Sequence, residues 1–465
     1  MTAPRLSASV VVTDAEGRVL VGRRRPSLRF MGGFVAFPGG VVDAETDGDD
    51  HLAPSRAAHR ELWEETGLVA RDARLVYSSE PPEDPFPGST IVRFTTPDWY
   101  PIRFETWFFH LVVDDSDAPA KTDEDMEEIR FEAPDQLLER WKHLDYLIAP
   151  PTRRVLEALA ALEDHRDSGT LAESLVDDDP SLAEEFEPMA GIQGLPLKTP
   201  TLPPATHTNC YLVGHEKLLI IDPATYDDGE RQRLLRVIER LGLPVEAVFL
   251  SHHHEDHIGS ARWLAEHLDV PVWAHPKTAE LVEEALAVDR TFEDGDVIDL
   301  GRDAVGKPFE LELLHTPGHA AGHIVFVDRR RDDRRSMIVG DMVASTGTII
   351  VDPDDGSMGE YVGQLARMRD LGPGVLFPSH GPPIYDGVAK LEAYLEHRKM
   401  REEKVFAAVR AHGPINARAL VPHAYDDTPE RAWPLAERSL LAHLEKLVDE
   451  GRVTRDGALF EARSS

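Results

Sequence analysis

Short apolar runs separated by polar or glycine-containing turns fill the first third of the chain and predict a mixed α/β unit. A hairpin is expected from one strand over Ala8–Thr13 and a second over Arg18–Gly22. The spacing of apolar residues predicts a helix over Pro54–Thr66. Further strands are expected at Thr106–Val113 and near Ile129.

The middle of the chain alternates short apolar runs with helical patterns, which is typical of an α/β fold. The end of the chain is helical instead, apart from a strand pair expected around Arg452–Phe460. The strands predicted for the middle region are Leu218–Ile221, Ala247–Ser251, Val272–Ala274, Glu312–His315, Ile324–Val327 and Met337–Val339.

Two changes in composition divide the chain into three predicted domains. The segment Glu163–Glu187 contains the acidic run Asp177–Pro180 and few large apolar residues, which indicates an acidic linker. Near Tyr385 a Gly/Pro-rich run gives way to a helical pattern. The predicted domains are residues 1–163, 188–387 and 388–465, with the linker at 164–187.

Charge and composition narrow the class of partner. The formal net charge is −34, from 84 acidic and 50 basic side chains, and such an excess repels polyanions. A small-molecule substrate is therefore expected rather than a nucleic acid. The single cysteine, Cys210, excludes an intrachain disulfide and a thiolate-rich zinc site. No signal-peptide pattern and no apolar run of roughly 18 residues is present, so we expect a cytoplasmic protein without a membrane segment.

A histidine-rich loop follows the apolar run Val245–Leu250 and carries the pattern His252-x-His254-x-Asp256-His257. A loop that leaves a strand end can bring several side chains to one point. Imidazole and carboxylate groups suit zinc. Because alternate residues of an extended segment point the same way, His252 and His254 can bind one ion while Asp256 and His257 face a second.

Three more candidate ligands, His319, Asp341 and His380, each follow a short apolar run further along the chain. A histidine-rich loop alone is more often a surface feature. In combination with three further donors at strand ends, it favours a metal site. Three other histidines of the region are expected to support the site or the fold rather than bind metal: His253, His315 and His323.

This order of motifs, from Gln193 to Tyr385, resembles the metallo-β-lactamase superfamily, notably its glyoxalase-like and lactamase-β-like hydrolases. The resemblance implies an αββα sandwich with two zinc ions. Such ions lower the pKa of a shared water toward about 7, so the implied reaction is hydrolysis, with Asp256 orienting the water. Ser379 departs from the glycine that often precedes the last histidine. The implied ligands are His252, His254 and His319 for the first ion, Asp256, His257 and His380 for the second, and Asp341 between them.

A second candidate site lies on the helix predicted over Pro54–Thr66. Glu61, Glu64 and Glu65 stand at positions i, i+3 and i+4, hence on one helix face. Adjacent carboxylates repel one another unless a cation lies between them, and hard oxygen ligands suit Mg²⁺ or Mn²⁺. A solvated acidic face is the simpler alternative, but the flanking Gly-Gly and Thr-Gly pairs favour a metal site.

Together with the upstream Phe37-Pro-Gly-Gly40, this helix resembles the Nudix box, and the resemblance covers residues 5–160. It implies a Nudix α/β/α fold and cleavage of a nucleoside diphosphate derivative. The metal ligands that it implies are Glu61, Glu64 and Glu65, with the Gly40 carbonyl nearby.

One departure from the box concerns its spacing. Six extra residues stand between Gly40 and Arg60. The spacing therefore does not identify the residue that serves as the first glutamate of the box, and Glu45 is the nearest candidate. A Nudix subgroup that resembles peroxisomal coenzyme A diphosphatases carries such insertions. It also shares the later patterns over Arg103–Phe109 and Ala149–Thr152.

The residues before Phe37 bear on the substrate. Arg24, Arg29 and Gly33 match the spacing found in coenzyme-A-cleaving Nudix enzymes. By this resemblance Arg24 and Arg29 would contact phosphates of coenzyme A or acyl-coenzyme A, a role that suits arginine. A solvated basic turn explains the same arginines equally well. Two glutamates stand just before a predicted strand, Glu127 and Glu128. Either could be an extra metal ligand, a catalytic base or a surface charge.

The C-terminal pattern begins a helix at Thr428, continues with an apolar stripe from Leu440 to Val448 and ends in a hairpin pattern over Val453–Phe460. It resembles the winged-helix module that follows the lactamase fold in lactamase-β-like endoribonucleases. Residues 390–465 hold 13 basic and 13 acidic side chains and no basic stripe. We therefore expect a structural role, over the metal site or at a homodimer interface.

Three functions fit these patterns. The favoured one is a bifunctional hydrolase, in which the Nudix unit cleaves a nucleoside diphosphate derivative and the dizinc unit hydrolyses an ester or thioester. Acyl-coenzyme A contains both kinds of bond, which would give the two units a common substrate. The alternatives are an endoribonuclease for single-stranded RNA with an accessory or ligand-sensing Nudix unit, which the charge disfavours, and a sensor in which one unit only binds ligand.

Overall fold

The computed structural model describes residues 3–463 except 26–27, 29–30, 101, 118, 120–125, 177–184 and 334. The chain forms two compact units, Met1–Gly194 and Leu195–Ser465. The mixed α/β, multidomain class expected from the sequence is confirmed. Among the described residues, no helix combines the length and the apolar character needed to cross a membrane.

The first unit builds on short strands and four α-helices in its described part. The helices are α1 (Ala53–Thr66), α2 (Pro134–Lys142), α3 (Pro150–Ala161) and α4 (Ser168–Ser174). The strands are β1 (Arg5–Thr13), β2 (Val19–Arg24), β3 (Phe34–Ala36), β4 (Gly39–Val41), β5 (Leu68–Arg71), β6 (Arg74–Tyr77), β7 (Ser89–Thr95), β8 (Phe104–Val112), β9 (Asp115–Ser116), β10 (Met126–Glu132), β11 (Leu147–Ile148) and β12 (Phe186–Met189). A further strand, β13 (Ile192–Lys198), crosses the boundary between the units.

The main sheet of the first unit has the order β11-β3-β2-β1-β8-β7, with β4 on β1 and β10 on β2. The predicted hairpin is present, since β1 pairs antiparallel with β2. Strand β1 also pairs in parallel with β8 along its whole length. The inward face of β1, including Val10 and Val12, packs against Ala58 and Leu62 of α1 in one buried cluster. This packing fixes α1 beside the strand β4, which carries Gly39 and Gly40.

Helix α1 confirms the predicted helix, with one more residue at its N-terminus. It ends at Gly67, whose φ of 76° lies in the left-handed region, and whose N–H donates to the carbonyl of Trp63. Glycine adopts this conformation without the steric cost that a Cβ brings. The turn directs the chain into β5.

Part of the segment predicted as an acidic linker is folded. Asp167 caps α4 by accepting hydrogen bonds from the backbone N–H groups of Gly169 and Thr170. Leu171 of this helix is fully buried, and Ser168 Oγ lies 2.7 Å from Nδ1 of the buried His110. The linker prediction was wrong for these residues because one buried leucine and one hydroxyl are too weak a pattern to indicate a packed helix.

The second unit contains two sheets, a third small sheet and eight α-helices in its described part. The helices are α5 (Asp228–Leu241), α6 (Glu255–Ile258), α7 (Ala261–Leu268), α8 (Pro276–Val282), α9 (Met358–Asp370), α10 (Gly387–His412), α11 (Ala417–Ala424) and α12 (Trp433–Asp449). The strands are β14 (His207–Val213), β15 (Leu218–Ile221), β16 (Val245–Leu250), β17 (Val272–Ala274), β18 (Arg290–Thr291), β19 (Val297–Arg302), β20 (Pro308–His315), β21 (Ile324–Asp328), β22 (Ser336–Gly340), β23 (Val375–Pro378), β24 (Ile415–Asn416), β25 (Val453–Asp456) and β26 (Leu459–Ala462).

The two large sheets of this unit face each other. One runs from β13 through β14, β15, β16 and β17 to β18, and the other has the order β19-β20-β21-β22-β23. Phe249 of β16 meets Phe326 of β21 edge to face, with ring centroids 4.9 Å apart. Strands β15, β16 and β17 are parallel, as are β22 and β23. The carboxyl ends of these strands therefore meet at shared edges of the sandwich.

The C-terminal module consists of α10, α11 and α12 with the sheet β24-β26-β25. The long helix α10 belongs to two cores. Leu391 and Tyr394 lie in the core of the sandwich, whereas Val405 and Val409 lie in the core of the module. This shared helix makes the sandwich and the module one compact unit.

Candidate functional site

The predicted ligands of the second unit lie at strand ends. His252 follows β16, Asp341 follows β22 and His380 follows β23. His319 lies in the turn between β20 and β21. Since β22 and β23 are parallel and β16 lies across the sandwich from β21, these ends converge on one point.

One group of donors consists of His252, His254 and His319, whose ligand atoms lie within 4.8 Å of one another. His254 Nδ1 lies 3.0 Å from His252 Nε2 and 3.1 Å from His319 Nε2. Two ligands about 2.0–2.1 Å from a tetrahedral zinc are separated by about 3.3 Å. The three nitrogens therefore form one face of a coordination tetrahedron.

A second group consists of Asp256, His257 and His380. His380 Nε2 lies 3.6 Å from Asp256 Oδ2, and His257 Nε2 lies 3.8 Å from Asp256 Oδ1. These separations again match the edges of one coordination polyhedron. The donors of the second predicted ion are thus brought together as the sequence suggested.

Asp341 lies between the two groups. Its Oδ1 is 3.4 Å from His380 Nε2 and 3.6 Å from His257 Nε2, and its Oδ2 is 3.6 Å from His319 Nε2. Each carboxylate oxygen thus faces one group, which is the geometry that a bridging ligand requires.

The ring orientation of His257 and His252 is fixed by acceptors outside the site. His257 Nδ1 donates to Asp222 Oδ2 at 2.9 Å, which leaves Nε2 to face the site. Ser251 Oγ donates to the same carboxylate at 2.6 Å and accepts from His252 Nδ1 at 3.0 Å. Such outer partners set the tautomer and the orientation of a metal-binding imidazole.

The remaining ligand histidines follow the same rule. His319 Nδ1 donates to the carbonyl of Ile350 at 2.8 Å, and His380 Nδ1 donates to the carbonyl of His207 at 3.1 Å. His254 differs because its Nδ1 faces the site, so its Nε2 is the outer nitrogen. Each ring therefore turns one nitrogen toward the predicted ions.

Burial and charge shift the ionisation of the ligands. Burial opposes ionisation of Asp341, but His380 and His257 outweigh it and hold the pKa of this carboxyl well below its usual range. Burial also opposes protonation of His257, yet Asp341 and Asp222 raise its pKa to about 9. Burial lowers the pKa of His319 to about 4. The site concentrates negative charge beside the second group of donors.

The donor set fits two metal ions. Among the buried polar atoms of the described residues, His257 Nε2 and Asp341 Oδ1 have no hydrogen-bond partner within the protein. An unpaired buried polar atom is costly, and a cation between these two atoms would satisfy both. Imidazole and carboxylate ligands suit first-row divalent ions such as zinc.

The three histidines expected to support the site or the fold occupy different places. His323 Nε2 accepts a hydrogen bond from the backbone N–H of Asp341 at 3.0 Å, so it holds the strand end that carries Asp341. His315 stacks on His275 at 3.9 Å and contacts the carbonyl of Ala321. His253 lies at the rim of the site. Ser379 donates its backbone N–H to Gly340, which keeps the last ligand loop beside Asp341.

The glutamates of α1 form a different arrangement. A Cβ placed on Gly40 would lie 2.3 Å from the carboxyl group of Glu61, so a side chain at this position would displace that carboxylate. Glu65 is buried, and its Oε2 accepts a hydrogen bond from the N–H of Gly39 at 3.1 Å. Glu64 is partly exposed and pairs with Arg60 at 2.8 Å. The Gly-Gly strand and two of the three carboxylates are therefore in contact.

Arg60 also lies 2.8 Å from Glu61 and 2.9 Å from Asp47. The hydrogen bond to Asp47 is the main cause of a raised Arg60 pKa. Burial raises the pKa of Glu61. Glu61, Glu64 and Glu65 are not among the groups of described donors whose ligand atoms lie within 4.8 Å of one another. Arg60 pairs with Glu61 and Glu64, so a metal ion held by the three carboxylates would lie beside this guanidinium.

The other candidates of the first unit are dispersed. Arg24 ends β2, and its Nε is buried without a hydrogen-bond partner, whereas Arg29 lies outside the described residues. Gly33 donates its N–H to the Arg24 carbonyl at 2.9 Å. Glu45 is exposed in a turn. Glu128 lies at a bulge of β10 with a φ of 54°, and its carboxylate lies 3.8 Å from Arg23.

Family models match the chain in three places. Residues 3–155 match the NUDIX domain, residues 203–380 match the metallo-beta-lactamase superfamily, and residues 417–462 match the beta-lactamase associated winged helix domain. The chain carries these three domains in this order. Both of the larger families are metal-dependent, and the chain is a hydrolase.

Individual relatives match about half of this chain. The beta-lactamase-like protein 2 homolog of Drosophila melanogaster is 29% identical over 262 residues, which are 53% of this chain and 84% of the relative. The atrochrysone carboxyl ACP thioesterase of Aspergillus chevalieri is 29% identical over 237 residues, covering 48% and 69%. A beta-lactamase domain protein from Burkholderia ambifaria has the same fold, with a TM-score of 0.53, 22% identity and coverage of 62% and 96%.

Two carboxylates near these sites were not singled out by the sequence. Asp47 of the Nudix domain is 2% exposed and holds Arg60. Asp355 of the metallo-β-lactamase domain contacts His254. Asp47 lies between Gly40 and Arg60, where the six extra residues depart from the spacing of the Nudix box. Asp355 lies in an acidic run, Asp352–Asp355, that resembles an ordinary polar loop.

Proposed function

We propose that the protein is a bifunctional hydrolase. Its metallo-β-lactamase domain binds two zinc ions and hydrolyses an ester or thioester, and its Nudix domain uses Mg²⁺ or Mn²⁺ to cleave a nucleoside diphosphate derivative. The observation that carries the first activity is the set of seven donors, five of them buried, arranged as two groups that share Asp341.

The chain's own residues would orient the reaction of the metallo-β-lactamase domain. When bound, two zinc ions would supply an activated water and polarise the carbonyl oxygen of the ester or thioester. Asp256 faces the second group of donors with a partly exposed carboxylate, so it can bind the attacking water and direct its proton. Asp222 and Ser251 keep His257 and His252 in the tautomers that leave Nε2 free.

A thioester is the favoured substrate class for this domain. One similar protein is named as an atrochrysone carboxyl ACP thioesterase, and it is 29% identical to this chain over 237 residues. The net charge of −34 disfavours a polyanion as substrate. A small acyl thioester carries no such penalty.

For the Nudix domain we propose coenzyme A or acyl-coenzyme A as the substrate. Arg24 has a buried Nε without a hydrogen-bond partner, and a phosphate oxygen would satisfy it. Glu61, Glu64 and Glu65 would hold the metal ion beside the Gly39–Gly40 strand. Acyl-coenzyme A contains a diphosphate and a thioester, so one molecule would serve both domains.

A substrate screen with the purified full chain tests this proposal. The protein is loaded with zinc, supplied with Mg²⁺, and assayed against acyl-coenzyme A, nucleotide sugars, simple thioesters and short single-stranded RNA. We expect thioester cleavage that is lost when zinc is removed, and diphosphate cleavage that needs Mg²⁺. Cleavage of RNA without cleavage of any thioester would contradict the proposal. So would elemental analysis that finds no zinc after reconstitution.

A further inference from the structure

The loop over residues 349–357 hydrogen-bonds to two histidines of the first group of donors. Asp355 Oδ2 lies 2.8 Å from His254 Nε2, and because a carboxylate only accepts, this nitrogen carries the proton. The carbonyl of Ile350 accepts from His319 Nδ1 at 2.8 Å. Two of the three histidines of the first group therefore depend on this loop for their orientation.

Asp355 has a specific effect on His254. An imidazole has two tautomers, and the one with the proton on Nε2 leaves Nδ1 unprotonated. His254 Nδ1 is the nitrogen that lies 3.0–3.1 Å from the other two ligand atoms. The hydrogen bond to Asp355 thus selects the tautomer that can bind metal. A carboxylate also makes the opposite nitrogen a better electron donor.

The loop is held in place from the sandwich side. Ile349 and Val351 are buried in the sandwich core. Ser357 donates its N–H to the carbonyl of Gly318 at 2.9 Å, next to the ligand His319. A Cβ on Gly356 would lie 2.1 Å from the same carbonyl, so a side chain cannot be accommodated there without displacing the loop.

The winged-helix module holds the loop from the other side. Arg398 of α10 is 3% exposed, and its guanidinium donates to the carbonyl of Ile349. Arg438 of α12 forms ion pairs with Asp352 and with Asp354, the latter at 2.8 Å. The buried contact of Arg398 should matter more, because exposed ion pairs contribute little to stability.

We propose that Asp355 is the positioning residue of His254 at the first metal site, and that the winged-helix module keeps Asp355 in place through the 349–357 loop. This proposal rests on the proposed dimetal site. It gives the module a role in metal binding, without any contact between the module and the metal or the substrate.

The test is a metal titration of the metal-free full chain against a chromophoric chelator, which gives the two zinc affinities. Asp355→Ala should weaken one affinity by about 10- to 100-fold and leave the other within about threefold. Asp355→Asn should recover much of the loss, because its amide oxygen still accepts from Nε2. A general loss of structure would lower both affinities and would not be rescued by Asn. Asp370→Ala, which removes an exposed carboxylate of α9, is the matched control.

Cobalt substitution supplies a second readout. The visible spectrum of Co²⁺ in the weakened site should change in Asp355→Ala, and that of Asp370→Ala should match the unaltered protein. Arg398→Met, which keeps the buried volume, should weaken the same affinity as Asp355→Ala. Arg438→Ala should weaken it less than Arg398→Met does.

The outcomes separate this proposal from the dimetal proposal. An unaltered protein that binds fewer than two ions contradicts the dimetal site itself. Two ions in the unaltered protein, with both affinities unchanged in Asp355→Ala, overturn only the positioning role. His253, His254 and Asp355 could also hold a cation of their own. Three ions per chain, of which Asp355→Ala removes one completely, would assign Asp355 as a ligand and overturn the positioning role.

Discussion

The carboxylate of Asp222 accepts a hydrogen bond from Nδ1 of His257 at 2.9 Å, and neither side chain is more than 2% exposed. The same carboxylate accepts from the backbone N–H of Ser251 at 2.7 Å. It therefore holds both the ring of His257 and the start of the loop that carries the ligands. We expect Asp222→Asn to lower the affinity for the second metal ion by about 10- to 100-fold, as measured by chelator competition.

The first metal ion is the internal control for that variant. His254 and His319 are oriented by Asp355 and Ile350 rather than by Asp222. His252 is connected to Asp222 only through the hydroxyl of Ser251. In Asp222→Asn, the affinity for the first metal ion should therefore change far less than the affinity for the second. Equal losses at both sites would show that Asp222 acts through the fold of the loop and not through His257.

Removal of the bridging carboxylate should affect both ions. Asp341 faces His319 with one oxygen and His257 and His380 with the other. Asp341→Ala is therefore expected to reduce zinc from about two ions per chain to below one and to abolish ester or thioester hydrolysis. Elemental analysis after gel filtration measures this. Full retention of two ions would contradict the bridging role.

The carboxylates of the Nudix domain should control a separate activity. Glu64→Gln and Glu65→Gln remove negative charge from α1 beside the Gly39–Gly40 strand and should abolish Mg²⁺-dependent diphosphate cleavage. Ester or thioester cleavage by the other domain should remain. If either substitution silences both activities, the two active units are not independent.

A comparison of coenzyme A with its 3′-dephospho form tests the substrate of the Nudix domain. Charge-assisted hydrogen bonds contribute about 1.5–3 kcal/mol each. If Arg24 binds a phosphate through such bonds, Arg24→Ala should lower kcat/KM by about tenfold or more. Arg25→Ala, at the exposed neighbouring position, is the matched control. Equal rates on both substrates, together with an unaffected Arg24→Ala, would remove the support for coenzyme A.

The clustering of the candidate metal ligands could be predicted because their sequence pattern is local. His252, Asp341 and His380 each stand directly after a short apolar run, and the carboxyl ends of such strands meet at one edge of a sandwich. Helix α1 was predictable for a similar reason, since the spacing of its apolar residues repeats within four turns. Patterns of this kind depend only on neighbouring residues, so they can be recognised without knowing the rest of the fold.

The contacts that join distant segments left no such pattern. Asp355 lies 101 residues from His254. An aspartate and a histidine 101 residues apart form no sequence pattern that indicates a contact. Helix α10 is one continuous helix that serves two cores, so nothing in its periodicity reveals that the module and the sandwich share it. The sequence pattern around Ser168 and Leu171 indicates a linker because the buried residues that they contact come from other parts of the chain.

A buried histidine of the Nudix domain predicts how the stability of this domain depends on pH. His110 lies between two hydroxyl groups, with Nε2 2.8 Å from Thr13 Oγ1 and Nδ1 2.7 Å from Ser168 Oγ. Burial, with a smaller contribution from His165, lowers its pKa to about 4. In the unfolded chain its pKa is near 6.5, so the unfolded state binds more protons between these values. The free energy of unfolding should therefore fall as the pH falls from 6.5 toward 4.

From pH 7.5 to pH 5 this single group should cost about 2 kcal/mol of stability. His110→Gln removes the titration, so its urea unfolding should show a flatter pH dependence over this interval, even if the variant is less stable at pH 7.5. His143→Gln, which replaces an exposed histidine of the same unit, should keep the pH dependence of the unaltered chain. Hydrogen exchange of peptides from Phe104–Val112 would assign the change to β8. If His110→Gln retained the full loss of stability below pH 6.5, the acid sensitivity of the unit would have to arise from other groups, and the hydroxyl contacts of His110 would not be its cause.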